Sequence, residues 1–168
     1  MNNTVEFAAR ALLIGGGATA VMDLWAALLR RLGVPSLDFA LLGRWLAHLL
    51  RGQWFHEAIA RSAPARGELA LGWLAHYSIG VTFAALTLAV FGLRWARSPT
   101  LLPALFIGVV TVAAPLFILQ PALGAGVASM KTPRPLFNSA KSLVTHAVFG
   151  VGLFAAARLT ASLLPAGE

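Results

Sequence analysis

Four long apolar stretches constrain what this chain can fold into. They run from about residue 5 to 29, 69 to 93, 100 to 123 and 139 to 164. A helix needs about 20 mainly apolar residues to cross a bilayer, and each stretch reaches that length. The sequence therefore predicts an all-α fold, a four-helix transmembrane bundle whose main partner is the lipid bilayer.

The composition excludes a water-soluble protein. The chain has 168 residues, of which 58% are hydrophobic and only 11% are charged, whereas soluble domains carry roughly 25% charged residues. A chain this short exposes too much of its surface to hide that apolar excess in its own core. Cysteine is absent, which excludes thiolate catalysis and cysteine-ligated metals.

The segment from residue 30 to 68 forms the longest loop, and we expect it to lie at the membrane interface. Gly33 and Pro35 stop the first helix, and Ser36 or Asp38 can cap the next one. Apolar residues then recur at helical spacing and basic residues share the opposite face: Leu42, Trp45, Leu46 and Leu49 against Arg44, His48 and Arg51. This pattern predicts a short amphipathic interfacial helix between the first and second spans. A second short helix is expected over residues 53–61.

The third span contains three prolines, Pro103, Pro115 and Pro121. Pro115 cannot donate a hydrogen bond to the carbonyl of Thr111, so we expect a kink there. Glycines and prolines fill residues 124–135 and predict an irregular loop. That loop is either a plain connector or a segment that dips back towards the polar residues described below.

No internal repeat divides the chain, so we expect a single membrane domain over residues 1–168. The net charge is +7, with basic residues concentrated in the loops after the first and third spans. The positive-inside bias then makes these loops cytoplasmic and places both termini outside. Nucleic-acid binding is not expected, because no basic stripe with base-reading residues is present.

Ionisable residues inside the apolar stretches mark a candidate site. Asp23, His76 and His146 each lie about seven residues, or roughly 10 Å, from the same end of the bundle. A charge inside hydrocarbon costs at least about 2.5 kcal/mol, so such residues are functional candidates. Gln120 belongs to the same face at a shallower depth. The loop on that face adds further contributors, namely His48, His56, Glu57 and Glu68.

Two ligand-based hypotheses follow from these residue types. A metal or haem site would use the imidazoles of His76 and His146, with Asp23 as a further ligand. No local ligand spacing supports it, and His56-Glu57 does not complete a zinc-protease motif because residue 60 is alanine. The alternative is a small proton-linked transporter, acting as a homo-oligomer because four helices leave little room for alternating access.

A third hypothesis needs no ligand. The same polar residues can fix helix packing in a structural or assembly membrane protein. The sequence does not decide between these hypotheses, nor whether the protein is an enzyme.

Several motifs along the chain resemble one known family. They are residues 17–25 (GATAVMDLW), Gly43-Arg44-Trp45 with His48, residues 72–77 (GWLAHY), 99–104 (PTLLPA), 120–126 (QPALGAG) and 145–150 (THAVFG). The chain resembles a bacterial integral-membrane family catalogued only as a domain of unknown function. The resemblance implies an integral membrane protein and assigns no catalytic residue. We expect a multi-pass protein of the bacterial inner membrane.

Overall fold

The computed structural model describes residues 2–164. Four helical segments in it are long and apolar enough to cross a membrane: α1 (Asn3–Arg31), α3 (Glu68–Arg97), the broken third span (Leu101–Leu123) and α6 (Pro135–Leu163). A shorter helix, α2 (Phe39–Leu49), lies between the first two spans. The predicted all-α fold with four spans is confirmed, and the protein fits a multi-pass membrane protein.

Helix α1 lies against both α3 and α6. Small residues allow this close approach, because a β-carbon on Gly15 would overlap the backbone of α3 at Val81. Gly108 of the third span meets Gly150 of α6 in the same way. These crossings fix how each helix is rotated about its axis, and hence which side chains face one another.

The third span is broken where Pro115 interrupts it. Helix α4 (Leu101–Thr111) ends one turn before that proline, a π-helical segment covers Pro115–Leu119, and α5 (Gln120–Leu123) completes the span. The missing amide of proline removes one backbone hydrogen bond, and a wider turn accommodates the loss. The regular α-helical hydrogen bonding is thus interrupted at Pro115, and the bend expected there stays a prediction.

Asp38 caps the N-terminus of α2, because its Oδ1 accepts a hydrogen bond of 2.9 Å from the amide of Ala40. It crosses the start of α3 at Gly43 and Gly72. A β-carbon on Gly72 would overlap the carbonyl of Phe39, and one on Gly43 would overlap that of Glu68. The two glycines therefore hold α2 directly against α3.

The prediction of a short helix over residues 53–61 is wrong. Only a single 3₁₀ turn, Ile59–Arg61, forms there. The amide of His56 donates to the carbonyl of Ala122 at 3.0 Å, so this segment is held extended against the end of the third span. A contact between distant segments has replaced the local helical hydrogen bonds.

Candidate functional site

A cavity of about 320 Å³ lies between the helices, towards the end of the bundle where α1 finishes and α3 begins. Its walls are mostly apolar, with side chains from every span and from α2: Met22, Ala26, Leu29, Leu42, Ile79, Phe83, Leu119 and Phe149 among others. Asp23, His76, His146 and Lys141 also line it. Three of the residues predicted from the sequence thus border one space.

Asp23 and His76 are in direct contact. Nε2 of His76 lies 2.9 Å from Oδ1 of Asp23, and the hydroxyl of Tyr77 donates to Oδ2 at 3.0 Å. The register of the antiparallel helices explains this contact. Thr19 abuts Gly80, so the residue one turn after Thr19 meets the residue one turn before Gly80.

Aromatic rings hold the imidazole of His76 in place. The ring centroid of Phe39 lies 4.4 Å from that of His76 and 4.4 Å from that of Trp73. Because a carboxylate accepts, Nε2 of His76 carries the proton that faces Asp23, and Nδ1 of the neutral ring is an acceptor. Among residues 2–164, no hydrogen-bond partner contacts Nδ1.

Tyr77 is a site residue that the sequence reasoning missed. It is the only tyrosine in the chain, and it follows a histidine inside an apolar span. A tyrosine hydroxyl at such depth needs a hydrogen-bond partner. A tyrosine within an apolar span therefore indicates a polar contact inside the bundle.

His146 borders the same cavity but does not join Asp23 and His76. Its side chain is buried, and Nδ1 lies 3.2 Å from Oγ1 of Thr111. That hydroxyl donates its single proton to the carbonyl of Gly108 at 2.9 Å, so it accepts from Nδ1–H of His146. The packing of Gly150 against the third span turns His146 towards α4.

Gln120 does not line the cavity. Its Nε2 donates to Ser142 at 3.2 Å, and its Oε1 accepts from Ser129 at 2.9 Å. Gln120 therefore connects the end of the third span to α6 and to the loop between the third span and α6.

The four loop contributors predicted from the sequence lie outside the cavity wall. Nδ1 of His48 lies 3.0 Å from Nε2 of His56, and Nε2 of His48 lies 3.0 Å from the carbonyl of Ala63. Glu57 makes no side-chain hydrogen bond or ion pair within the described residues. The contacts of His48 and His56 therefore stabilise the loop beside the cavity.

Glu68, the fourth loop contributor, pairs with Arg44 through two hydrogen bonds, of 2.8 and 2.9 Å. The neighbouring carboxylate raises the pKa of Arg44 above its usual value. This pair reinforces the crossing of α2 and α3.

The site residues do not assemble a metal-binding group. Across the described part of the chain, no three histidine, aspartate or glutamate side chains converge as metal ligands would. Asp23 and His76 offer two ligands, and the imidazole of His146 is bonded to Thr111 instead.

A second polar cluster, at the opposite end of the bundle, was missed from the sequence. Nε of Arg10 lies 2.8 Å from Oε1 of Glu6, and Arg97 reaches the same carboxylate at 2.6 Å. Arg10 is 1% exposed and also donates to the carbonyls of Ala96 and Leu164, at 3.2 and 2.5 Å. The i,i+4 spacing of Glu6 and Arg10 is the sequence feature that indicates this ion pair, because such residues share one helix face.

Comparison with known proteins adds one finding. A family model matches residues 12–160, and its description is "Protein of unknown function (DUF2938)". No curated protein and no solved structure matches the chain significantly.

Proposed function

We propose that this chain, which belongs to the DUF2938 family of proteins of unknown function, binds a small, mainly apolar molecule in its cavity. The observation that carries the proposal is the cavity of about 320 Å³, whose mainly apolar wall contains Asp23 and His76 among a few polar side chains. Ligand sites of this kind combine hydrophobic walls with a few polar groups that fix orientation.

The cavity beside Asp23 and His76 supports ligand binding more strongly than the contact between these two residues. A polar pair that only fixes helix packing is satisfied by its own hydrogen bonds and needs no cavity beside it. Here the pair borders a space, and Nδ1 of His76 can accept a hydrogen bond from an occupant. The hypothesis of a structural or assembly protein without a ligand is therefore less well supported.

The broken third span favours a second candidate function, proton-linked transport. Ala114, Pro115, Ile118 and Leu119 line the cavity at the π-helical segment. Interrupted helices at a cavity are common in transporter binding sites, and aspartate–histidine pairs occur in proton relays. Transport predicts pH-driven flux of the bound molecule in liposomes, abolished by Asp23→Asn.

Metal or haem binding has weaker support, because two converging side chains are too few for a metal site. It remains a prediction that a visible absorption spectrum and elemental analysis of the purified protein would test. A bacterial inner-membrane location, a homo-oligomer and a single membrane domain also remain predictions.

Photolabelling tests the proposed function. The protein in lipid nanodiscs is irradiated with dodecanol that carries a diazirine, and labelled residues are mapped by mass spectrometry. Phe149 is 2% exposed, so lipid on the outer surface cannot reach it, but it lines the cavity. We expect labelling at Phe149.

Two matched variants place the same phenylalanine side chain on α1, one inside the cavity and one outside it. Ala26 lines the cavity, whereas Ala8 is exposed. Ala26→Phe should abolish labelling at Phe149, and Ala8→Phe should leave it unchanged. Labelling confined to outward-facing residues, equal in both variants, would exclude a ligand in this cavity.

A further inference from the structure

The cavity changes in polarity along its length. Its wall on α6 runs from Lys141 through Ser142 and Thr145 to Phe149, about 12 Å along the helix axis. On α1 it runs from Leu29, next to the loop, to Thr19. The end near the loop contains Lys141 and Ser36, whereas the inner end is closed by Phe83 and Phe149.

The positive charge at the loop end lacks a carboxylate partner within the described residues. Nζ of Lys141 donates to the carbonyl of Pro35 at 2.7 Å, and an ammonium group has three protons to donate. Arg30 adds a second cation there, because its Nη1 donates to Oγ of Ser36 at 2.9 Å. None of the salt bridges among residues 2–164 involves Lys141 or Arg30.

The only acidic side chain in the cavity wall is already occupied. Asp23 accepts from His76 with one oxygen and from Tyr77 with the other. Asp23 keeps its negative charge, but it lies six residues, or about 9 Å along α1, inward of Leu29 at the loop end. An anionic occupant meets Lys141, whose charge no side chain in the described ranges neutralises.

We infer that the ligand is a single-chain amphiphile with an anionic headgroup, bound with the headgroup at Lys141 and the alkyl chain towards Phe149. This inference rests on the proposed function. A molecule that enters from the bilayer gains no hydrophobic stabilisation, because lipid tails are as apolar as the cavity wall. The headgroup contact with Lys141 therefore determines which amphiphile binds.

The experiment compares photoreactive probes with the same dodecyl chain and different headgroups. Dodecanoate, dodecanol and dodecyltrimethylammonium, each with a diazirine at the chain end, are added separately to the protein in nanodiscs. Label at Phe149 is then quantified. We expect dodecanoate to label Phe149 about tenfold more efficiently than the other two, the size of one charge-assisted hydrogen bond.

Variants of the two lysines in the chain identify the headgroup contact. Lys141→Met should remove the preference for dodecanoate, and Lys141→Arg should retain it. Lys131→Met is the control, because Lys131 is exposed and outside the cavity wall. Since dodecanol labelling reports binding without a charge, its survival in Lys141→Met would show that this variant is folded.

Other outcomes separate this inference from the proposed function. Equal labelling by dodecanoate and dodecanol, or a preference for dodecyltrimethylammonium, overturns the anionic ligand and leaves the proposed function standing. A photoreactive phosphatidylglycerol that labels Phe149 better than dodecanoate overturns a single-chain ligand in favour of a bilayer lipid. No label at Phe149 from any probe overturns both.

Discussion

Nε2 of His76 on α3 lies 2.9 Å from Oδ1 of Asp23 on α1, in a part of the chain long and apolar enough to cross a membrane. Their side chains are 13% and 21% exposed. The pair thus connects two spans beside the cavity, and its strength can be measured.

Replacing Asp23 and His76 singly and together should reveal their coupling. Asp23→Asn removes the carboxylate charge and His76→Phe removes the donor, while each variant nearly keeps the original volume. We expect a coupling free energy of about 0.5–2 kcal/mol from a double-mutant cycle of unfolding in micelles. Tyr77→Phe, which removes only the second donor to Asp23, should couple to Asp23→Asn less strongly. Additive effects of Asp23→Asn and His76→Phe would mean that the observed contact contributes no free energy.

A methyl group at Gly72 should destabilise the protein, whereas the same change at Gly16 should not. The added β-carbon of Gly72→Ala overlaps the carbonyl of Phe39, but nothing lies within 4 Å of one at Gly16. We expect Gly72→Ala to cost about 1–3 kcal/mol because α2 must move. Gly16→Ala should stabilise α1 by about 0.5–1 kcal/mol. Thermal unfolding in micelles measures both, and equal shifts in the two variants would refute a close crossing of α2 and α3.

Arg10 should be much less tolerant of substitution than Arg94. Arg10→Met leaves the buried Glu6 with one partner fewer and the carbonyls of Ala96 and Leu164 without this donor. Each buried polar group left without a partner costs about 1–3 kcal/mol. Arg94 is exposed, so Arg94→Met should change the unfolding free energy by less than about 0.5 kcal/mol. Denaturant titration of both variants checks the difference.

His48 and His146 should hold their single protons on opposite ring nitrogens. Nε2 of His48 faces the carbonyl of Ala63, which can only accept, so we expect the neutral ring to be protonated at Nε2. His146 should be protonated at Nδ1, because the proton of Thr111 is used by Gly108. Nitrogen-15 NMR of histidine-labelled protein distinguishes the two forms, and the same tautomer at both residues would contradict the hydrogen-bond assignments.

The sequence predicted the depth of the site residues but not their direction. The fixed rise of a helix was enough to place Asp23 and His76 at one level. Their contact depends on the rotation of α1 against α3, which the crossing of Thr19 and Gly80 sets, and no local pattern encodes that crossing. His146 had the same predicted depth, yet the packing of Gly150 on Gly108 directs it towards Thr111.

Interactions between distant segments account for the remaining differences. The extended segment at His56 depends on the carbonyl of Ala122, which lies far along the chain. The cluster of Glu6, Arg10 and Arg97 joins distant parts of the described chain. The contact of Arg97 on α3 with Glu6 on α1 depends on how these two helices pack. The position of Lys141 at the loop end of the cavity depends on its contact with Pro35, and no local sequence pattern predicts that contact.

The position of a heavy atom on a bound alkyl chain would show whether the cavity holds a ligand. Crystals of the protein grown in a lipid mesophase with dodecanoate brominated at its terminal carbon would show bromine through anomalous scattering. A ligand in the cavity predicts an anomalous peak at the inner end, between Phe83 and Phe149. Bromine peaks only on the outer surface of the helices, with this cavity empty of them, would contradict it.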